Sequence, residues 1–125
     1  MTENEISKII VHVCFDIHYK LGPGLFETVY ESILTYELIK KGLNVERQKP
    51  IPVNWDGITI DQSFHADLIV NDKDLIEIKS IATIAHVHKK QVLTYLKLTG
   101  LKLGLLINFN EALIKNGIIR IVNGL

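Results

Sequence analysis

The sequence lacks several features that mark common protein classes, and each absence excludes something. Cys14 is the only cysteine among 125 residues, so no intrachain disulfide and no cysteine-based zinc or iron–sulfur site can form. No stretch approaches the roughly 18 uninterrupted apolar residues of a membrane-spanning helix. Acidic and basic residues balance at 14 each. The lack of excess positive charge weighs against a protein that relies on non-specific affinity for nucleic acid.

What is present points to a compact protein with one core. Hydrophobic residues make up 47% of the chain, enough for a single domain over residues 1–125. The first ten residues, MTENEISKII, are acidic where a secretory signal would be basic and then apolar. We therefore expect a cytoplasmic protein with no membrane partner.

Three stretches carry apolar residues at helical spacing. The first follows a Thr2-x-x-Glu5 capping box and should end near Leu21, because Gly22-Pro23-Gly24 cannot continue a helix. The other two run from about Phe26 to Lys41 and from about Ile84 to Leu98, where Gly100 closes the third helix.

Strand patterns fill the rest of the chain. Asp56-Gly57 is a strong hairpin signal between a run ending at Trp55 and a run starting at Ile58. Pro50 and Pro52 either place the first run at a sheet edge or introduce a bulge in it. The remaining apolar runs are Phe64 to Val70, Leu75 to Ser80, Lys102 to Phe109 and Gly117 to Val122. The order α-α-β-β-β-α-β-β predicts an α/β fold with a mixed central sheet flanked by helices.

Charged residues interrupt two of these strands. Asp67 lies in HADLIV, and Glu77 and Lys79 lie ten and twelve residues later in DLIEIKS. Charges among apolar strand residues cost free energy unless they are paired or bind a metal. An odd-length loop puts all three on one side of the sheet. A five-residue loop, Val70 to Asp74, puts Asp67 opposite Glu77, and a three-residue loop puts it opposite Lys79. This D-x9-E-x-K spacing predicts a site for Mg²⁺ or Mn²⁺ that could hydrolyse phosphodiesters, most simply those of DNA.

Supporting polar residues come from the helices. His88, Gln91 and Tyr95 are three and four residues apart, so they form one polar stripe on the third helix. Glu27 opens the second helix directly after the Gly-Pro-Gly turn, where a carboxylate also favours the helix dipole.

Five short motifs follow one another along the chain: Gly24-x-x-Glu27-x-x-Tyr30, Ala66-Asp67-Leu68, Ile76-Glu77-Ile78-Lys79, His88-x-x-Gln91-x-x-x-Tyr95-Leu96 and Gly104-Leu105-Leu106-Ile107-Asn108-Phe109. Together and in this order, they resemble the bacterial GxxExxY proteins of the PD-(D/E)XK nuclease-like superfamily. The resemblance extends from about Ile10 to Leu125 and implies a restriction-endonuclease-like core.

The resemblance also implies roles. Asp67, Glu77 and the Ile78 backbone carbonyl would bind the metal, and Lys79 would orient the attacking water or stabilise the transition state. Glu27 would reach the metal through a water or hold a second ion, and Gln91 would fix the carboxylates or contact phosphate. Four further residues are candidates for substrate binding: Tyr30, His65, His88 and Tyr95. Relatives usually carry arginine where this chain has His65, which is only partly charged near neutral pH.

Two other functional hypotheses are compatible with the sequence. The chain could be a non-catalytic module that binds nucleic acid or protein on the same fold, as its neutral charge favours. It could also be a homodimeric junction-resolving endonuclease, with the interface at an exposed edge formed by Ile118, Ile119 and Ile121.

Overall fold

A computed structural model describes residues 1–125, except for the side chains of Gln62 and Ser63. Its helices are α1 (Glu3–Leu21), α2 (Glu27–Lys40) and α3 (His86–Thr99), with a short 3₁₀ helix at Ile114–Asn116. Its strands are β1 (Val45–Trp55), β2 (Ile58–Val70), β3 (Asp74–Lys79), β4 (Leu103–Asn108) and β5 (Ile118–Val122). The predicted order of helices and strands is confirmed.

All five strands form one sheet in the order β1-β2-β3-β4-β5. β3 and β4 run parallel, and the other neighbouring pairs run antiparallel. Helix α3 makes the crossover between the two parallel strands, which explains why β4 is buried along its whole length. The mixed sheet expected from the sequence is confirmed.

The two faces of the sheet cover different cores. α1 and α2 pack on one face over Leu68, Ile76 and Ile78, while α3 packs on the other over Leu75 and Leu106. α3 lies very close to β4, because a Cβ added at Gly104 would sit 2.6 Å from Cγ1 of Val92. Over the described residues, none of the helices has the length and apolarity needed to cross a membrane.

Several predicted boundaries need correction. The runs beginning at Ile58 and Phe64 form one continuous strand, β2. α3 begins at His86 rather than near Ile84, since Ala85 is its extended N-cap residue. The β5 isoleucines expected at an exposed edge are partly buried: Ile118 packs against the α1/α2 core, and Ile119 and Ile121 pack against the α3 core.

The loop between β2 and β3 has the predicted parity. Ile69 pairs with Leu75, and one further pair, Val70 with Asp74, leaves three residues in the loop rather than five. Asn71 and Asp72, both with positive φ, make this tight turn. The register therefore brings Asp67 level with Glu77, as the odd-length prediction required, and not level with Lys79, as expected for a loop of three residues.

Candidate functional site

The site forms where β2 and β3 stop pairing. Their ladder ends at Leu68 and Ile76, and side chains replace the next backbone bonds. The Ile78 N–H donates to Oδ2 of Asp67 at 2.8 Å, and the Asp67 N–H donates to Oε1 of Glu77 at 3.1 Å. Each carboxylate is thus fixed by the backbone of the opposite strand, and the two acids converge in the gap between the strands.

Burial makes this acid pair unusual electrostatically. Glu77 is only 5% exposed. Burial first, and then the neighbouring charge of Asp67, raise the pKa of Glu77 to about 8. Burial also raises the pKa of Asp67, against the lowering effect of its hydrogen bonds from Ile78 and Gln48. The pair therefore binds a proton near neutral pH unless another positive charge takes its place.

Lys79 follows Glu77 by two residues in β3, so both side chains leave the same face of the strand. Its positive charge lowers the pKa of both acids, which places it within electrostatic reach of each. The Lys79 carbonyl accepts from the Phe109 N–H at 2.9 Å, and the backbone of Ile81 is held by Asn108. This end of β3 is therefore firmly anchored to β4.

Glu27 lies beside the end of β3 and is exposed. Its Oε1 accepts from the Ser80 N–H at 3.4 Å, and the Ser80 hydroxyl donates to the Leu25 carbonyl at 2.6 Å. Glu27 and Ser80 line a pocket of about 370 Å³ together with Leu25, Phe26 and Thr28. The start of α2 is thus tied to the residue that follows Lys79.

Helix α3 brings one of its three predicted polar residues to the acids. Tyr95 is 5% exposed, and burial together with the charges of Glu77 and Asp67 raises its pKa. Gln91 is half-buried one turn earlier on the same helix. His88 instead serves the start of α3, because its Nδ1 accepts from the Ala85 N–H at 2.9 Å.

The two remaining substrate-binding candidates differ in exposure. His65 is exposed on β2. Tyr30 is fully buried and stacks on Phe109 with ring centroids 4.3 Å apart. Its hydroxyl donates to the Gly22 carbonyl at 2.6 Å and accepts from the Leu25 N–H at 3.3 Å. Contrary to our expectation, Tyr30 is therefore placed to hold the turn before Glu27, not to contact a substrate.

Sequence reasoning gave no role to three residues that are linked to Asp67 by hydrogen bonds. Glu31, on a buried face of α2, accepts from Arg47 at 2.9 Å and from Gln48 at 2.7 Å. Gln48 also donates to Oδ1 of Asp67 at 3.2 Å. The available signal was Glu31, a charge within the apolar stripe of α2. Gln48 gave none, because a glutamine in an edge strand is ordinary.

The arrangement fits a small divalent cation. Two converging carboxylates, desolvated and fixed by backbone donors, are hard oxygen ligands of the kind that Mg²⁺ and Mn²⁺ prefer. Among the described residues, no three His, Cys, Asp or Glu side chains cluster closely enough to hold a metal ion. A cation here would therefore rest on two carboxylates completed by backbone or water oxygens, which is common for Mg²⁺.

Comparison with known proteins identifies the family. No curated protein and no solved structure matches the chain significantly. The family model described as the PD-(D/E)XK nuclease superfamily matches residues 4–121, nearly the whole chain. The mixed sheet with flanking helices agrees with the restriction-endonuclease-like fold of that superfamily. The chain belongs to the PD-(D/E)XK nuclease superfamily.

Proposed function

We propose that this protein is a metal-dependent nuclease of the GxxExxY group that hydrolyses phosphodiester bonds of DNA. The observation that carries the proposal is the convergence of Asp67 and Glu77 in the gap between β2 and β3, with Lys79 on the same strand face as Glu77. Membership of the superfamily supports a nucleic-acid substrate, and nucleases of this superfamily generally use divalent metals.

Asp67, Glu77 and the Ile78 carbonyl would hold Mg²⁺ or Mn²⁺. A divalent cation bound there supplies Lewis acidity that favours attack on a phosphodiester. Hydrolysis adds water across one P–O bond and leaves a phosphate monoester and a free hydroxyl. The two carboxylates would bind and orient the cation. The Ile78 N–H, which donates to Asp67, and the Asp67 N–H, which donates to Glu77, hold these carboxylates in a fixed orientation.

Lys79 is the residue we assign to the charge that builds on the phosphoryl oxygens. Its ammonium stays close enough to the acids to lower their pKa, and so lies beside the place where the scissile phosphate would bind. Glu27, at the start of α2, would reach the cation through a water, and Gln91 and Tyr95 would contact the acids or the phosphate from α3. His65 and His88 would contact substrate at the margin of the site.

A cleavage assay tests the proposal directly. Labelled linear, single-stranded and branched DNA would be incubated with the protein and Mg²⁺ or Mn²⁺. We expect cleavage by the unsubstituted protein and by Lys20→Ala, a matched surface control on α1 whose side chain is exposed and paired only locally with Asp16. We expect none by Glu77→Ala. Cleavage that persists in Glu77→Ala would exclude this assignment of the site.

A second candidate function is a non-catalytic module that binds a partner. The observation that favours it is the β1–β2 hairpin, where Trp55, Ile58 and Ile60 are exposed beside the acidic residues Asp56 and Asp61. Such a surface suits protein better than a phosphate backbone. Calorimetry with Mn²⁺ separates the two functions: no binding at millimolar metal favours the module. Sedimentation would show whether the proposed homodimer forms.

A further inference from the structure

In both β1 and β2, the alternation of side chains between the two faces of the sheet is interrupted at one cross-strand position, where Gln48 lies opposite Asp67. Leu68 and Ala66 are two apart in β2 and would share a face in a regular strand. Instead Leu68 packs in the α1/α2 core and Ala66 in the α3 core. The same reversal occurs in β1, where Val45 packs against the first core and Ile51 against the second. The interruption of the alternating pattern therefore affects both strands, next to the acid pair Asp67 and Glu77.

The backbone of Gln48 adopts a costly conformation to make this reversal. Its φ is +49°, in the left-handed region that non-glycine residues rarely occupy. Strain of this kind persists only where surrounding contacts impose it, and it concentrates at functional sites. A glycine would relieve it, yet the position carries a long amide side chain. The side chain therefore has a use that the backbone alone does not explain.

The contacts of that amide give the use. Its Nε2 donates to Oε1 of Glu31 at 2.7 Å and to Oδ1 of Asp67 at 3.2 Å. The other oxygen of Glu31 is held by the Arg47 guanidinium at 2.9 Å, and the other oxygen of Asp67 by the Ile78 N–H at 2.8 Å. A continuous chain of hydrogen bonds thus runs from Arg47 through Glu31 and Gln48 to the candidate metal ligand.

The charges along this chain are ordered. The cation, Arg47, pairs with Glu31, which is buried with 8% of its side chain exposed. The donor that reaches Asp67 is neutral. An ammonium or guanidinium at that point would hold Asp67 equally well but would compete with a divalent cation for the same carboxylate. A neutral amide orients the carboxylate and leaves its charge available.

We propose that Gln48 is a positioning residue that fixes Asp67 for a divalent cation without neutralising it, with Glu31 and Arg47 holding the amide in place. This inference rests on the proposed function, because it assigns Asp67 as a metal ligand. It adds a neutral amide from β1, a strand outside the D-x9-E-x-K motif, to the groups that set metal affinity. Removal of a residue that hydrogen-bonds to a metal ligand commonly weakens metal affinity about 10–100-fold.

Calorimetry with Mn²⁺ alone, paired with thermal unfolding in the absence of metal, tests the inference. Gln48→Leu removes both donors at similar size, and we expect its Mn²⁺ affinity to fall about 10–100-fold. Gln48→Lys should bind still more weakly, because its charge pairs with Asp67. Asn54→Ala removes an exposed amide from the same strand and serves as the matched control, with unchanged affinity.

Gln48→Gly separates positioning from structural support. Relief of the positive φ offsets the extra flexibility of glycine in the unfolded chain, so its unfolding temperature should stay close to that of the unsubstituted protein. Its Mn²⁺ affinity should fall as far as that of Gln48→Leu. A merely structural role predicts the opposite: a lower unfolding temperature in Gln48→Leu with unchanged affinity.

The outcomes are distinguishable from failure of the proposed function. If the unsubstituted protein binds Mn²⁺ and both Gln48→Leu and Gln48→Gly bind it equally well, the positioning role is wrong while the metal site stands. If the unsubstituted protein does not bind Mn²⁺, both are wrong. Weakened binding in these variants but not in Asn54→Ala supports the inference.

Discussion

Strand β3 carries two buried carboxylates three residues apart, and their surroundings differ completely. Asp74 is fully buried on the α1/α2 side, and neither of its oxygens has a hydrogen-bond partner among the described residues. Glu77 is buried on the α3 side but accepts a backbone N–H and converges with Asp67. Burial raises the pKa of Asp74 to about 7 and that of Glu77 to about 8. A raised pKa alone therefore does not distinguish a candidate metal ligand from a buried carboxyl group without a hydrogen-bond partner.

The distinction lies in what converges on each group. Around Glu77, a second carboxylate adds negative charge that a divalent cation would neutralise. Around Asp74, the nearby charges are Glu3 on α1, Lys73 in the preceding loop and Arg120 on β5, and among the described residues neither oxygen of Asp74 has a hydrogen-bond partner. The first arrangement gains from a metal, while the second only loses stability by ionising.

The largest expected effect is on catalysis and tests the comparison most severely. Glu77→Gln keeps the shape of the side chain but removes its charge, and we expect DNA cleavage to fall by about 10³-fold or more, since loss of metal costs several kcal/mol. Asp74→Asn should leave the rate within about twofold. Initial rates with Mn²⁺ measure both. Equal losses of cleavage rate in the two variants would show that cleavage depends on a buried carboxylate in β3 and not on the convergence of Glu77 with Asp67.

Lys79→Ala should have the next largest effect. It removes one donor from the developing phosphoryl charge, so we expect the single-turnover cleavage rate to fall about 10²–10³-fold. Mn²⁺ affinity should not weaken, because a positive charge beside the acids is lost. Single-turnover kinetics and calorimetry together check this, and a loss of metal binding without a loss of rate would contradict the role.

Metal should stabilise the fold only through the Glu77 site. At a free Mn²⁺ concentration 100 times the dissociation constant, mass action adds about 2.7 kcal/mol to the free energy of unfolding. We expect this gain in the unsubstituted protein and in Asp74→Asn, and its loss in Glu77→Gln. Urea unfolding with and without Mn²⁺ measures it. A persistent gain in Glu77→Gln would mean that the ion binds elsewhere.

The smallest effect concerns Asp74 and stability alone. Because its pKa in the folded protein is raised from 3.8 to about 7, the folded state binds the extra proton between those values and stability should fall as pH rises through that window. Asp74→Asn removes the ionisation. We expect it to be more stable than the unsubstituted protein by about 1–2 kcal/mol above pH ~7, and no more stable below pH ~4. Urea unfolding across pH 4–8 checks the crossover, and a parallel pH profile in the two proteins would contradict it.

Local patterns in the sequence sufficed for most of the architecture. The capping box at Thr2 is present with both of its bonds, the Asp56-Gly57 turn closes the first hairpin, and loop parity brought Asp67 level with Glu77. Each depends on residues close in sequence. Tyr30, by contrast, is buried in the core, although its family motif suggested contact with substrate.

Features that depend on distant contacts escaped the sequence. Gln48 has a positive φ, and its side chain donates to Glu31 and Asp67, which are 17 and 19 residues away. Asp74 reads as an ordinary turn residue, yet the loop is three residues long and the residue is buried beneath its neighbours. A glutamine does not by itself indicate a positive φ, and an aspartate does not by itself indicate burial.

Gly104 has a consequence for the whole site. α3 can approach β4 closely only because that position has no side chain to hold them apart, as a Cβ there would strike Val92. Tyr95 lies about one turn after Val92 on α3, and the charges of Glu77 and Asp67 contribute to raising its pKa. The lack of a side chain at Gly104 thus determines how closely the Tyr95 phenol approaches the two acids. A single added carbon at that position would push α3, and Tyr95 with it, away from the sheet.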